Sequence, residues 1–534
     1  MKRISYFAMV MLFASTSSAQ QLDKGVKNWY NGTKYGMSTD VAYAKVLIGK
    51  KSNAVVVAVI DSGVDIEHED LKGRIWLNTN EIPNNGIDDD ANGYIDDVNG
   101  WNFLGNSEGE NINDVQLEVT RLYAKWRKTY EGRVYSDLTA EEKENYATYK
   151  EMKEKVVLER FGAKKELEDL KETTEVLTES DKNLRAHFGG DYTLAQLKKI
   201  KKDPELGESA EQMIRLSGFG LDYAGYLEML KYYQDKLDFN YNPDIDPRGE
   251  IIGDNTSDIN DRGYGNNNVE GPDASHGTHC AGIIGALRNN GIGNDGVADN
   301  ILIMSLRAVP NGDEWDKDVA LAIRYAVDNG AQVINMSFGK GYSSDQQLVI
   351  DAVRYAEEKG VLLVHAAGNE GLDTDGAENY PRPQYKSMNS KFTNWIEVGA
   401  STRFKKAKVK GGYIMQDGLA ADFSNYGNEM VDVFAPGHDI FSTVPQSEYD
   451  VFAGTSMAGP MVAGVAALLK SYYPELTMFQ IREIILESVQ KTEDLTTPLP
   501  GDPAKQVTFD QLCVTAGIVN VYNAVLSAEE KTKK

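Results

Sequence analysis

The 534-residue sequence contains very few cysteines, only Cys280 and Cys513. Two thiols exclude a disulfide framework and a four-cysteine zinc site, although a single bridge between them stays open. Positive charge is also scarce, since 56 Lys and Arg stand against 81 Asp and Glu, giving a formal net charge of -25. A protein with this charge is a poor partner for nucleic acid or anionic lipid, so we expect neither.

Long apolar runs are nearly absent as well. The one such run, residues 4–14, follows Lys2 and Arg3 and precedes small residues at 17–19. This order is typical of a secretory signal peptide, so we expect residues 1–19 to be one and the protein to be exported, periplasmic or extracellular. A buried N-terminal helix is the alternative. No later run is long enough to cross a bilayer, and no transmembrane anchor is expected.

Short apolar and β-branched runs alternate with helical patterns over much of the chain. The runs cover residues 54–65, 301–309, 331–339, 360–371 and 395–401. This alternation predicts an α/β fold with a parallel sheet and helices on both of its faces. Ligands bind beyond the carboxyl ends of the strands in such sheets, and Asp61 and Asn369 fall at two of these ends.

One region interrupts the alternation. Residues 114–241 are rich in Glu, Lys, Leu and Tyr, and Thr139 with Glu142 forms a capping box ahead of a helical pattern. We therefore predict an all-helical insertion of roughly four helices in an α/β domain formed by residues 20–113 and 242–534. The charges of the insertion are more typical of a solvated helix surface than of a specific site.

The stretch ASHGTHCAG, residues 274–282, brings His276, His279 and Cys280 together. These side chains could bind a metal, His276 could be a catalytic base, or all three could serve packing. A closed zinc site needs four ligands, and neither a further ligand nor the glutamate base of an HExxH site is evident nearby. The metal interpretation is therefore disfavoured.

Two further segments complete a pattern with His276. Asp61 ends the run AVVVAVID, and Ser456 lies in the turn FAGTSMAGP before a helix of small residues. A nucleophilic serine needs a base to take its proton, and the base needs a carboxylate to orient it. The chain order Asp, His, Ser is one of the known arrangements of these three groups.

These motifs resemble the subtilisin-like serine proteases over about residues 29–113 and 242–526. The resemblance implies that Asp61, His276 and Ser456 form the catalytic triad. It also implies that the asparagine of AAGNEG, Asn369, is the donor of the oxyanion hole. Cys280 resembles a free thiol that some members of the family carry beneath the base, where it has no direct part in the chemistry.

The same resemblance implies a first specificity pocket between residues 335–341 and 365–371. Ser337, Phe338 and Gly339 would bind substrate on one side, and the glycines would leave room for a large apolar side chain. Lys340 stands where glycine is usual in the family.

The predicted function is that of an exported serine endopeptidase that hydrolyses protein or peptide substrates through an acyl-enzyme on Ser456. The chemistry requires no cofactor. Two alternatives stay open at this point: a transpeptidase or peptide cyclase on the same scaffold, and an inactive peptide-binding protein that uses the helical insertion.

A separate segment, NNGIDDDANGYIDDVNGW at residues 84–101, offers a structural calcium site. Asp88, Asp90, Asn92 and Asp96 follow the early spacing of an EF-hand loop. Asn99 replaces the bidentate glutamate that closes such a loop, and Asn, Asp and Gly also form plain turns. Both interpretations stay open.

Overall fold

A computed structural model describes residues 25–410, 413–492 and 495–533. Within these residues the chain divides into two compact units. We call residues 114–245 the helical unit, and residues 25–113 together with 246–533 the sheet unit. The predicted signal peptide lies outside the described residues.

The strands all belong to the sheet unit. The fifteen described strands are β1 (Val55–Asp61), β2 (Gly100–Asn102), β3 (Ile301–Arg307), β4 (Val333–Met336), β5 (Leu362–Ala366), β6 (Trp395–Ser401), β7 (Lys408–Lys410), β8 (Tyr413–Gln416), β9 (Val433–Pro436), β10 (Ile440–Val444), β11 (Glu448–Phe452), β12 (Gln490–Lys491), β13 (Thr496–Leu499), β14 (Asp502–Thr508) and β15 (Gly517–Ile518). Nine of them form one sheet in the order β12-β15-β9-β6-β5-β4-β1-β3-β2. Its pairs are parallel except for the β12–β15 pair at one edge, and the other six strands form three antiparallel hairpins.

The helices belong to both units. The thirteen described helices are α1 (Thr39–Ala42), α2 (Glu118–Tyr130), α3 (Ala140–Phe188), α4 (Leu194–Ile200), α5 (Gly207–Gly218), α6 (Tyr223–Asp235), α7 (Pro247–Ile251), α8 (Ser275–Gly285), α9 (Asp316–Asp328), α10 (Gln346–Glu358), α11 (Thr455–Tyr472), α12 (Met478–Glu487) and α13 (Val521–Thr532). Among the described residues, no helix has both the length and the hydropathy needed to cross a bilayer.

Strand β1 shows why the sheet is covered on both faces. Val57 and Val59 enter a core shared with α8, α11, α12 and α13. The alternate residues, Ala58 and Ile60, enter a second core shared with α9 and α10. Successive side chains of a strand point to opposite faces, so a strand buried on both faces needs an unbroken apolar run. The predicted α/β class, with a parallel sheet between two layers of helices, is confirmed.

The helical unit contains α2 to α6. The capping box of Thr139 and Glu142 begins α3, as the sequence predicts, but α3 continues for 49 residues. It extends beyond the predicted pattern because its buried positions continue through Leu167 and Leu184, which pack in two apolar clusters with residues of α5 and α6. Helix α2 was not predicted, since no side chain caps its first turn.

A buried ionic network joins the segment after the helical unit to α9. Within it, Arg248 of α7 contacts Asp254 at 2.7 Å and Asp318 at 2.5 Å, and Lys317 contacts Asp254 at 2.7 Å. These four side chains are at most 3% exposed. A buried carboxylate that loses its partner keeps the desolvation cost without compensation, so the network holds α7 against the start of α9.

Replacing Arg248 with methionine should lower the free energy of unfolding by about 3–5 kcal/mol, because the buried carboxylates of Asp254 and Asp318 lose the guanidinium that they share, although Lys317 still contacts Asp254. Urea unfolding followed by tryptophan fluorescence measures this change. The matched control is Lys531→Met, which removes a pair with Glu487 that is 35% and 65% exposed; it should change stability by less than about 0.5 kcal/mol. Equal unfolding midpoints for the two variants would contradict the prediction.

Candidate active site

The carboxylate of Asp61 and the imidazole of His276 meet at the end of β1. Asp61 is the last residue of this strand, and His276 lies in the first turn of α8. Nδ1 of His276 is 2.7 Å from Oδ1 of Asp61, which also accepts a hydrogen bond from the backbone N–H of Ser62 at 2.8 Å. The buried carboxylate therefore fixes the orientation of an imidazole whose side chain is 38% exposed.

Two glycines allow α8 to approach β1 this closely. A Cβ on Gly277 would lie 2.1 Å from the carbonyl oxygen of Gly63, and Gly63 itself has a φ of +128°. A side chain at Gly277 would push the helix away from the turn, and an L-residue at Gly63 would be strained. The glycine after His276 is thus required by the contact between the helix and the turn.

The environment of His276 favours its protonated form. Burial alone lowers the pKa, but the charge of Asp61 and its hydrogen bond raise it by more, and Asp273 adds to the increase. The net result is a pKa above the ordinary value for histidine. With Nδ1 donating to Asp61, Nε2 is the nitrogen that can accept a proton from a third group.

Ser456 lies in the first turn of α11, which begins at Thr455. Its hydroxyl donates to the carbonyl of Ser337 at 3.1 Å, and no hydrogen bond between Ser456 and His276 is present in the described part of the chain. The structure thus brings Asp61 and His276 into contact. The Ser456 hydroxyl points to the Ser337 carbonyl and not to the His276 imidazole. Such contacts often form only when substrate binds.

The side chain of Asn369 is oriented by the residue before Ser456. Its Oδ1 accepts from the backbone N–H of Thr455 at 2.8 Å and from the Thr455 hydroxyl at 3.0 Å. Because the oxygen is used in this way, the Nδ2 amide remains as a donor for a ligand. The backbone N–H of Ser456, at the start of a helix, is a second donor. Two such donors can hold a developing oxyanion.

The sequence motifs contain no signal for Asn425, which holds the loop around Asn369. Its Oδ1 accepts from the backbone N–H groups of Glu370 and Leu372, and its Nδ2 donates to the carbonyl of Ala367. Asn425 comes far later in the chain, and only the fold brings it to this loop.

The predicted pocket residues Ser337, Phe338 and Gly339 follow directly after β4. The Ser337 hydroxyl donates to the carbonyl of Ser456 at 3.0 Å, so this segment lies beside the start of α11. Lys340 is buried, where its Nζ contacts Asp316 at 3.0 Å. Its side chain therefore points into the protein.

Asn379 is a second residue that the motifs do not indicate. Its Nδ2 donates to the carbonyl of Ala367 at 3.1 Å, and a Cβ on Gly339 would lie 2.9 Å from its Oδ1. The amide therefore lies between the two predicted walls and limits the space that the glycines leave. Backbone hydrogen bonds between Lys340 and Tyr380 bring Asn379 to this place.

The other two side chains of the ASHGTHCAG stretch are buried. Nε2 of His279 is 3.1 Å from the carbonyl of Ile440, and its ring stacks on Phe452. Burial lowers the pKa of His279 to about 3, so it stays neutral. Cys280 is a buried free thiol with Sγ 3.4 Å from the carbonyl of Ser456, and burial raises its pKa. Cys513 is also free, so the two cysteines form no bridge.

The acidic loop at 84–101 brings together a set of carboxylates that differs from the EF-hand set. Glu81, Asp90 and Asp97 have oxygens within 4.8 Å of one another. Asp88 and Asp96 lie outside this set and accept hydrogen bonds from backbone N–H groups of the turn. Glu81 precedes the segment, so the spacing did not reveal it. A structural calcium ion stays a prediction.

Comparison with known proteins gives the family to which the chain belongs. The profile of the subtilase family matches residues 52–503. The chain belongs to the subtilase family. A thermophilic serine proteinase of Bacillus sp. strain AK1 is 39% identical over 218 residues, which cover 41% of this chain and 47% of the relative.

Two further comparisons give the extent of the likeness. Thermitase of Thermoactinomyces vulgaris is 42% identical over 200 residues, which cover 37% of this chain and 61% of thermitase. The chain thus spans about half the length of the curated relatives it matches. A solved structure of proteases from Pseudoalteromonas arctica is 27% identical, covers 52% of this chain and 82% of its own, and has a TM-score of 0.38.

The pKa of His276 should lie above the ordinary value of about 6.5 in the folded subtilase, and Asp61→Asn should lower it, because the neighbouring charge is removed. Proton NMR titration measures this, with His276→Gln assigning the resonance among the six histidines. Asp273→Asn is the control, since Asp273 contributes less and is exposed. An unchanged pKa in Asp61→Asn would contradict the electrostatic argument.

Proposed function

We propose that this subtilase is a serine endopeptidase that hydrolyses peptide bonds through an acyl-enzyme on Ser456. The observation that carries the proposal is the 2.7 Å contact between His276 and the buried carboxylate of Asp61. A histidine that acts as a catalytic base needs one ring nitrogen held by a partner and the other available to take a proton. The contact with Asp61 holds Nδ1 and leaves Nε2 available. Ser456 and Asn369 then complete the set of groups that acyl transfer requires.

The proposed reaction begins when the Ser456 side chain rotates from the Ser337 carbonyl toward Nε2 of His276. His276 takes the hydroxyl proton while Oγ attacks the substrate carbonyl carbon, and the resulting oxyanion accepts hydrogen bonds from Asn369 and the Ser456 N–H. His276 then gives its proton to the leaving amine. Water, activated by the same imidazole, hydrolyses the acyl-enzyme.

Asp61 has two tasks in this scheme. Its hydrogen bond keeps the proton of neutral His276 on Nδ1, so that Nε2 is the free base. Its negative charge then stabilises the imidazolium that forms during attack. The same charge stabilises the imidazolium in the resting protein, where it raises the pKa of His276.

Substrate would extend along the segment Ser337–Gly339, with the amide of Asn379 lining the pocket. We therefore propose protein or peptide substrates whose side chain at the cleavage site fits beside a polar amide. A transpeptidase would need a site that favours an amine over water as acceptor, and an inactive binding protein would not need the oriented Asn369. The endopeptidase is thus the better supported function, and export from the cell stays a prediction.

A fluorophosphonate probe should label the wild-type protein at Ser456, because only an activated serine reacts with it. Ser456→Ala should lose both labelling and hydrolysis of casein peptides while keeping its circular dichroism spectrum and melting temperature. Labelling of an intact Ser456→Ala variant, or hydrolysis by it, would refute the assignment of the nucleophile.

Asn369→Ala should lower kcat by about 10²–10³-fold with little change in KM, the size known for the corresponding donor of a subtilisin. The donor acts on charge that exists only in the transition state, so ground-state binding is spared. Asn379→Ala is the matched control, since it removes the same side chain from the pocket wall and should change KM and substrate preference. An unchanged kcat in Asn369→Ala would overturn the oxyanion assignment.

A mercurial reagent should inhibit hydrolysis although the nucleophile is a serine. An adduct on Cys280 would occupy space beneath His276 and beside the Ser456 carbonyl, which disturbs the geometry of both. Cys280→Ser should stay active and lose this sensitivity, whereas Cys513→Ser should stay sensitive. Inhibition that persists in Cys280→Ser would show that the mercurial acts elsewhere.

A further inference from the structure

A second histidine with a carboxylate partner lies near the active site, and the mechanism above does not use it. His365 in β5 is fully buried, and Glu397 in β6 is almost fully buried. Nδ1 of His365 is 3.0 Å from both carboxylate oxygens of Glu397. Nε2 of the same ring is 2.8 Å from the carbonyl oxygen of Phe338, within the predicted pocket wall.

The partners of the ring determine how many protons the pair holds. The Phe338 carbonyl can only accept, so Nε2 carries a hydrogen. A second hydrogen must lie between Nδ1 and Glu397, because two bare acceptors would repel each other at this distance. Trp395 Nε1 donates to the same carboxylate at 2.8 Å and helps to hold it. The pair is therefore neutral as a whole and complete in its hydrogen bonds.

The Phe338 carbonyl lies beyond the end of the hydrogen-bonded pairing between β4 and β5. Strands β4 and β5 pair from Val333–Leu362 to Met336–His365, and that pair is the last one. Phe338 lies two residues further on, so its carbonyl has no ladder partner in β5. The His365 side chain supplies the missing donor and extends the connection between the strands beyond the end of the ladder.

This bond acts on the segment that lies beside the nucleophile. Ser337, next to Phe338, accepts the hydrogen bond of the Ser456 hydroxyl through its own carbonyl. An extended peptide bound along this segment would pair with its backbone, and such pairing requires the peptide planes to keep one orientation. A carbonyl held by a buried imidazole loses the freedom to turn.

We propose that His365 and Glu397 form a positioning pair that holds the Ser337–Gly339 segment in the orientation needed to bind extended substrates. The proposal rests on the endopeptidase function proposed above and concerns the same site. His365 touches neither the reacting atoms nor the substrate. It acts through the Phe338 carbonyl alone, and Glu397 acts through His365.

The test compares two substrates of different length in His365→Leu. A tetrapeptide p-nitroanilide needs the whole segment, whereas p-nitrophenyl acetate needs only the nucleophile, the base and the oxyanion donors. Loss of the bond to the Phe338 carbonyl should lower kcat/KM for the tetrapeptide by about 10–100-fold, mainly through KM. Hydrolysis of the acetate should change by less than about threefold, since its acyl group is too short to use the segment.

A second variant keeps the test decisive if His365→Leu folds poorly. In His365→Gln the amide nitrogen takes about the place of Nε2 and can donate to the Phe338 carbonyl, so most of the tetrapeptide activity should return. Glu397→Ala should show the same split between substrates as His365→Leu. The double variant His365→Leu/Glu397→Ala should be no worse than either single one, because both act through one carbonyl.

Active-site titration with the fluorophosphonate separates the outcomes. Equal loss on both substrates per titrated site, or no loss on either, would overturn the positioning role and leave the endopeptidase function standing. Failure of wild-type protein to react with the probe or to cleave any peptide would instead refute the proposed function itself. Recovery in His365→Gln with the substrate split in His365→Leu would support the pair.

Discussion

The parallel pairing of β1 with β3 and β4 is the constraint on which the rest of the structure depends. This pairing requires that β1 be an apolar run buried on both faces of the sheet. The strand ends at Asp61, which is its last paired residue. The carboxylate at that end is buried, which would be costly without partners. The backbone N–H of Ser62 and the imidazole of His276 supply partners for its Oδ1 atom. The sheet thus sets the position of the Asp61 carboxylate, and the carboxylate sets the orientation of the His276 imidazole.

The same logic extends to the other groups of the site. Helix α11 begins at Thr455, whose backbone and hydroxyl orient Asn369, while Asn425 holds the loop that carries Asn369. Each of these contacts joins segments that are far apart in the chain. Close approach of the backbone also needs small residues. Gly277, for example, lets α8 contact the turn after β1. The candidate active site thus consists of the ends of strands and helices that close packing brings together.

The sequence predicted much of this arrangement and missed specific parts of it. Alternating apolar runs and helical patterns sufficed for the α/β class, because burial on both faces leaves a clear pattern in a strand. The capping box at Thr139 marked the start of α3, but its 49-residue length depends on packing against α5 and α6. Helix α2 has no capping side chain to announce it. The EF-hand spacing missed Glu81, which joins the acidic loop only in space.

The motifs around Asp61, His276 and Ser456 are evident from the sequence alone, because each is a short continuous stretch in which the residue stands next to a turn. Asn379, between the pocket walls, and the pair of His365 with Glu397 carry no such local signature. Only the tertiary structure decided their place, since Asn379 and His365 each contact a backbone carbonyl on another strand or loop, and Glu397 contacts His365. Every residue has a backbone carbonyl, so the sequence does not show which carbonyl lacks a partner. That becomes evident only from the place where two strands stop pairing.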